Sequence, residues 1–173
     1  MTNAKKITLK IIIIGDPAVG KTSLIKKFIT GKFSADYRSS IGANLFTKKI
    51  ILENLTKVTL QLWDIAGQER WIKMRRSYYS GAKGAIIVGD LKRKNTFEQI
   101  EKFWVQDIKN YCSDVPIILL ANKKDLVDKI EEYEIISLGN RIKADFTLFT
   151  SAKTGDNVEL AFLNITKQAI LQN

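Results

Sequence analysis

The sequence holds one cysteine, two prolines and no histidine. Cys112 alone excludes an internal disulfide. The missing imidazole removes the usual zinc ligand and the base of a histidine-dependent hydrolytic triad, so any metal must be oxygen-bound. No apolar run approaches the roughly 20 residues that span a bilayer. The start, Lys5-Lys6 followed by Ile11 to Ile14, has the order of a signal peptide, but the run stops at Gly15-Asp16-Pro17 and reads as a buried strand. A cytoplasmic protein is expected. Nothing resembling a repeat, a low-complexity block or a linker divides the chain, so one domain over 1–173 is expected.

What is present is ordinary globular material, 45% hydrophobic and 27% charged. Lys plus Arg number 28 against 18 Asp plus Glu, and the formal charge of +10 favours anionic partners. Strand-like runs Leu9 to Ile14, Val58 to Ile65, Ala85 to Val88, Val115 to Ala121 and Phe146 to Thr150 alternate with helical spacing. That spacing appears in Thr22 to Ile29, then in Phe97, Ile100, Phe103 and Trp104, in Ile135 to Ile142, and in Leu160 to Leu171. The alternation predicts an α/β fold with a mostly parallel sheet and helices on both faces. The turn-like Glu53 to Thr56 predicts one antiparallel hairpin at the sheet edge. The least patterned stretch, Lys32 to Ala43, has the length of a functional loop.

Three motifs carry chemistry. Gly15-Asp16-Pro17-Ala18-Val19-Gly20-Lys21-Thr22 fits G-x-x-x-x-G-K-[ST] between a strand and a helix: backbone N–H groups close around phosphates, Lys21 reaches the terminal ones, and the Thr22 hydroxyl can ligate Mg²⁺. Asn122-Lys123-Lys124-Asp125 follows an apolar run. The Asp125 carboxylate can accept hydrogens from N1 and the exocyclic amine of guanine, a pair adenine lacks; alone, the motif could be a solvated charged turn. Trp63-Asp64-Ile65-Ala66-Gly67-Gln68 ends another run, so Asp64 can hold Mg²⁺ through water, Gly67 can offer its N–H to a γ-phosphate and Gln68 can orient a water. Ser151-Ala152-Lys153 could back the guanine from its other side.

In this order the motifs resemble those of Ras-superfamily small GTPases, from Lys6 to Leu171. Ser40-Ile41-Gly42, Leu60 to Asp64, Gln68-Glu69-Arg70 and Tyr78 to Ala82 are most similar to the Rab branch. The resemblance implies the P-loop small G-protein fold, with a six-stranded, mostly parallel sheet and one antiparallel edge strand. It implies a slow GTPase with GTP or GDP and Mg²⁺ as ligands: Gln68, Lys21 and Gly67 catalytic, and Thr22, Ser40 and Asp64 around the metal. The nucleotide would be held by Asp16, Ala18, Val19, Gly20, Lys21, Thr22, Ser23, Phe33, Tyr37, Ser40, Gly67, Asn122, Lys123, Asp125, Leu126, Ser151, Ala152 and Lys153. Effectors, an exchange factor and an activating protein would meet a switch face of Ile41, Leu45, Trp63 and Tyr78, on a protein that works as a monomer.

Departures from the family pattern qualify these expectations. Ser40 replaces the usual Thr, which predicts a looser first switch loop, and Pro17 removes an N–H from the phosphate loop. Leu45 replaces an aromatic residue and Ile65 a Thr. The chain shown ends at Ala169 to Asn173 without cysteine, so membrane association is expected only where a lipid-bearing tail or an adaptor supplies it. Arg70, Lys73, Arg75, Arg76 and Lys83, with Lys92-Arg93-Lys94, read either as a solvated face or as a docking site for an acidic partner or anionic membrane. No arginine stands at an evident position for assisting hydrolysis in cis. The competing reading is a non-cycling GTP/GDP-binding module. An ATP-using enzyme is disfavoured by Asp125, and no nucleic-acid recognition motif is legible.

Overall fold

Strand β1 (Lys6–Ile14) lies at the centre of a six-stranded sheet, and Ile11 to Ile14 are buried on both faces of it. It pairs in parallel with β3 (Lys57–Ile65) on one side and with β4 (Gly84–Asp90) on the other. β5 (Ile117–Asn122) and β6 (Phe146–Phe149) continue the parallel order, and β2 (Ala43–Ile51) runs antiparallel to β3 at the edge, giving β2-β3-β1-β4-β5-β6. The computed structural model describes residues 6–34, 42–53, 56–67, 72–112 and 114–172. The expected hairpin is closed by the Leu52 N–H donating to the Thr56 carbonyl at 3.0 Å. β5 starts at Ile117 rather than Val115 because Pro116 brings no N–H to the ladder.

The helices are α1 (Lys21–Thr30), α2 (Ile72–Tyr79), α3 (Asn95–Gln99), α4 (Val105–Tyr111), α5 (Glu132–Arg141) and α6 (Val158–Leu171). A π-helical turn, Ile100–Trp104, joins α3 to α4, and Lys124–Leu126 form a 3₁₀ turn. The period-2 alternation of β1 divides them: Ile11 and Ile13 pack with Leu24, Ile25 and Phe28 of α1 and with Phe162, Ile165 and Ala169 of α6. Ile12 and Ile14 face Tyr79, Phe97, Ile100, Trp104, Ile108 and Leu138. Phe28 and Phe162 stack at 4.3 Å between ring centroids. Truncating one such fully buried side chain costs about 2–5 kcal/mol, so both layers hold the sheet rigidly. Among the described residues no helix is long and apolar enough to cross a membrane.

All five parallel strands finish at one edge of the sheet, and β1, flanked by β3 and β4, is where the strand order reverses. Ligands of open α/β sheets settle in the crevice at such a point. The three motifs arrive there together.

Candidate nucleotide-binding and hydrolysis site

β1 delivers the chain into the phosphate loop, and α1 begins at Lys21. Between them Ala18 (φ 61°) and Gly20 (φ 103°) adopt left-handed backbone, which turns N–H groups inward. A Cβ on Gly20 would lie 2.3 Å from Asn122 Nδ2, so only glycine lets the loop seat against β5. Lys21 is buried and its ammonium donates to the carbonyls of Gly15 (2.9 Å) and Asp16 (2.8 Å). Burial lowers its pKa to about 8, against the opposing pull of Asp64 and Asp16. A phosphate brought to this ammonium would favour the charged form further and raise that value.

Four successive loop residues are gripped by side chains from other elements. Trp104 Nε1 donates to Asp16 Oδ1 at 2.7 Å, Arg93 Nη2 to the Pro17 carbonyl at 2.7 Å, Lys123 Nζ to the Ala18 carbonyl at 2.8 Å and Asn122 Nδ2 to the Val19 carbonyl at 2.9 Å. Arg93 and Lys123 converge on one oxygen of Asp90, at 3.0 and 2.7 Å. Asp90 closes β4 and is almost wholly buried.

On the opposite side of the loop the Thr22 hydroxyl donates to Asp64 Oδ2 at the buried end of β3. A hydroxyl beside a carboxylate is a hard-oxygen donor set that fits Mg²⁺, which takes one or two protein oxygens and completes its shell with phosphate and water. The backbone after Asp64 lies directly on the loop: a Cβ on Gly67 would sit 2.4 Å from the Gly15 carbonyl and 2.6 Å from Pro17 N. A side chain here would push the two segments apart.

The residues expected to recognise the base form a second cluster built around Asn122. Its Oδ1 accepts from the Thr150 hydroxyl (3.2 Å) and the Ala152 N–H (3.3 Å), while Lys124 N–H donates to the Thr150 carbonyl at 3.0 Å. Asp125 follows in the 3₁₀ turn, and the Ser151 hydroxyl donates to its Oδ1 at 2.6 Å, which fixes the carboxylate in one orientation. Ser151 and Ala152 are buried; Leu126 and Lys153 are exposed, and Phe33, just beyond α1, is 40% exposed. Ser23, in the first turn of α1, is half-buried.

The sequence model of the Ras family matches residues 10–171. The chain belongs to the Ras family. It is 36% identical to the Ypt/Rab-type GTPase Rab7 of Neurospora crassa, over 99% of this chain and 87% of that one. It is also 36% identical to the Ypt/Rab-type GTPase YPT7 of Saccharomyces cerevisiae, over 100% of this chain and 86% of the relative. This is therefore a Rab-like GTP-binding switch of membrane traffic and a GTP hydrolase, with GTP or GDP and Mg²⁺ as its ligands.

Of the residues expected at this Ras-family site, Tyr37, Ser40, Ile41 and Gln68 lie outside the described residues. Leu45, Trp63 and Tyr78 come together: Leu45 is the register partner of Trp63 and is 51% exposed, and the Trp63 and Tyr78 rings are 6.4 Å apart. Leu45 is surface, whereas Trp63 and Tyr78 are half-buried and pack on the core layer of Ile12, Ile14 and Tyr79. Lys10 Nζ lies 4.1 Å from the Trp63 ring centroid, and burial lowers its pKa.

The basic group expected near α2 requires correction. Arg75 is 1% exposed, paired with Asp107 at 3.2 Å and covered by the rings of Phe103 and Trp104 at 4.6 and 4.8 Å. A docked partner cannot reach it, and reversing its charge would break the fold rather than test docking. Arg93 is partly exposed, but its guanidinium is engaged with Asp90 and the Pro17 carbonyl, which places an arginine against the phosphate loop where none was expected. Lys73, Arg76, Lys83, Lys92 and Lys94 are exposed as expected, Lys94 pairing with Glu131 at 2.5 Å.

Sequence reasoning missed Asp90, Thr150 and Trp104. The available signal for Asp90 was its place as the single charge ending the apolar run Ala85 to Val88. Burial raises the Asp90 carboxyl, but hydrogen bonds from Lys123, the Lys92 N–H and Arg93 together outweigh it and hold the carboxyl below the usual carboxylate range. Its contribution is thus present at neutral pH and fades as pH falls through that lowered value. Charge-assisted hydrogen bonds are worth about 1.5–3 kcal/mol, so losing part of this grip in Asp90→Asn should speed GDP release about threefold to thirtyfold. Chase of a fluorescent GDP analogue by unlabelled GDP measures it; an unchanged rate would show that the two cations hold the loop unaided.

Proposed function

We propose that the residues gathered here work as a GTPase switch with the following division of labour. Lys21 and the loop N–H groups bind the β- and γ-phosphates and stabilise the charge that develops as the bond between them breaks. Gln68, following Gly67, aligns a water for in-line attack on the γ-phosphorus; GDP and inorganic phosphate leave. Asp125 and Ser151 select guanine, Asn122 and Lys123 brace the phosphate loop, and Phe33 and Tyr37 flank the nucleotide. Mg²⁺ held by Thr22, Asp64 and Ser40 would neutralise phosphate charge when bound.

The observation that carries this reading is the contact of the Gly67 backbone with the phosphate loop, beside Lys21 and the Thr22–Asp64 pair. That contact supports a second switch that begins beside the phosphate loop and senses the γ-phosphate. With GTP bound, Gly67 and Ser40 are drawn to that phosphate, and Ile41, Leu45, Trp63 and Tyr78 form the face met by effectors, exchange factor and activating protein. The whole chain, 1–173, acts as one monomeric G domain. It works from the cytoplasm, with membrane attachment supplied by a lipid-bearing tail or an adaptor.

Single-turnover hydrolysis of [γ-³²P]GTP with Mg²⁺ tests the reading. Slow phosphate release is expected, unaffected by excess ATP and reduced at least about tenfold in Gln68→Leu, since a positioned catalytic group contributes about 10²–10⁴. Tight GTP binding with no release, equal in both proteins, would point instead to a non-cycling binding module.

A further inference from the structure

Two of the four grips on the phosphate loop, those of Asn122 and Lys123, come from the base-recognition motif. The grip on Asp16 does not. Trp104 stands at the end of the π-helical turn Ile100–Trp104, whose wide hydrogen bonding is visible in the Val105 N–H donating to the Ile100 carbonyl. π-Turns inside helices concentrate at functional positions because they re-aim side chains. Here Trp104, 1% exposed, spans from the helix layer to the loop.

Arg75 of α2 lies over the ring of the same indole at 4.8 Å, and Phe103 packs T-shaped with it at 4.9 Å between centroids and an interplanar angle of 82°. Arg75 Nη1 and the Tyr79 hydroxyl, one turn apart on α2, both donate to Asp107 Oδ2 at 3.2 Å. A continuous set of contacts, part-buried at Asp16 and buried beyond it, therefore runs from Asp16 through Trp104 and Arg75 to α2, the helix entered shortly after Gly67. Pro17 makes the Asp16 grip matter more: the loop lacks one N–H, residue 16 is confined by the proline that follows, and the remaining N–H groups must be aimed correctly.

We propose that Trp104 is a positioning residue for the GTPase site, fixing the phosphate loop through Asp16 and coupling it through Arg75 to α2. Displacement of α2 by a bound protein then loosens the loop and speeds nucleotide release. The coupling depends on the nucleotide site assigned above, but its test is separate: Gln68→Leu reports on hydrolysis, whereas the present variants are read in nucleotide release.

The test is the release rate of a fluorescent GDP analogue from the Mg²⁺-loaded protein, measured beside the melting temperature. Trp104→Phe keeps an apolar ring but removes the N–H. It should speed release about threefold to thirtyfold, the range expected when a charge-assisted hydrogen bond to a half-buried carboxylate is lost and water partly replaces the donor. Asp16→Ala should speed release to a similar degree, the double variant should go no faster than the quicker single, and Asp16→Asn, which keeps the acceptor, should release more slowly than Asp16→Ala. Arg75→Met should also speed release, non-additively with Trp104→Phe. A lowered melting temperature in Trp104→Phe with release unchanged, or effects of Trp104→Phe and Asp16→Ala that simply multiply, would overturn the proposal. So would an Arg75→Met effect independent of Trp104.

Discussion

Lys21→Met should weaken GDP and GTP binding by about 10²- to 10⁴-fold, because removing one partner of a buried charge pair costs about 3–5 kcal/mol. The ammonium is buried, and two of its three donors are taken by the Gly15 and Asp16 carbonyls, which leaves the third for a phosphate oxygen. The loss has two sources. One is the attraction between the ammonium and the phosphates; the other is the two carbonyls left without their donor, so the loop no longer holds its curve. Lys21→Arg should not restore binding, since a guanidinium is larger and planar and the space around Lys21 is closed. Titration of a fluorescent GDP analogue gives the affinities. A melting series with and without GDP gives an independent check: the nucleotide should raise the midpoint of the wild type and leave that of Lys21→Met unmoved at the same concentration. Affinity within threefold of wild type would remove Lys21 from the phosphate site.

Legibility in the sequence followed the distance between partners. The phosphate loop and the Asn122 to Asp125 motif lie within short windows and follow strand-like runs, so their place at the strand ends could be read directly. The parallel sheet followed from Ile11 to Ile14 and Ile117 to Ala121, whose unbroken apolar character fits only strands covered on both faces. Trp104 and Arg93 act on loop residues 88 and 76 positions away, so no local pattern announces them. Trp104 continues the apolar stripe of Phe97 and Ile100, and nothing in that spacing distinguishes an indole whose N–H reaches the loop from one that only fills the core. The π-turn was hidden for the same reason. Arg75 was misread because charge was taken to mean exposure. Its neighbours at matching helical spacing, Tyr79 on α2 and the acidic Asp107 on the facing helix, make a buried ion pair that only the packing of α2 on α4 brings together.

The largest change in specificity should come from Asp125→Asn. In the proposed site guanine would present two donors to the carboxylate, at N1 and at the exocyclic amine, and Asp125 would answer with two acceptors. Asparagine offers one acceptor and one donor, so its amide group faces the exocyclic amine donor to donor. Sites built to hydrogen-bond a ligand reject a mismatched one by about 10⁴–10⁵-fold when the groups are buried. Asp125 is exposed at the site's rim, so a loss of about 10²–10³ in GDP affinity is the better expectation. Xanthine carries an oxygen where guanine carries the amine, and its nucleotides should bind the variant better than guanine nucleotides do. The Ser151 hydroxyl should strengthen that inversion: it donates to Asp125 Oδ1 at 2.6 Å, which selects the Asn rotamer that keeps its carbonyl toward Ser151 and turns the amide NH₂ toward the base. Ser151→Ala in the same background would release the amide to rotate, and the preference for xanthine should shrink. Competition between GDP and XDP for the fluorescent probe measures both. Equal loss of the two nucleotides would mean that the variant disturbs the Asn122, Thr150 and Ala152 cluster instead of the base contact, and a retained preference for GDP would place guanine recognition elsewhere.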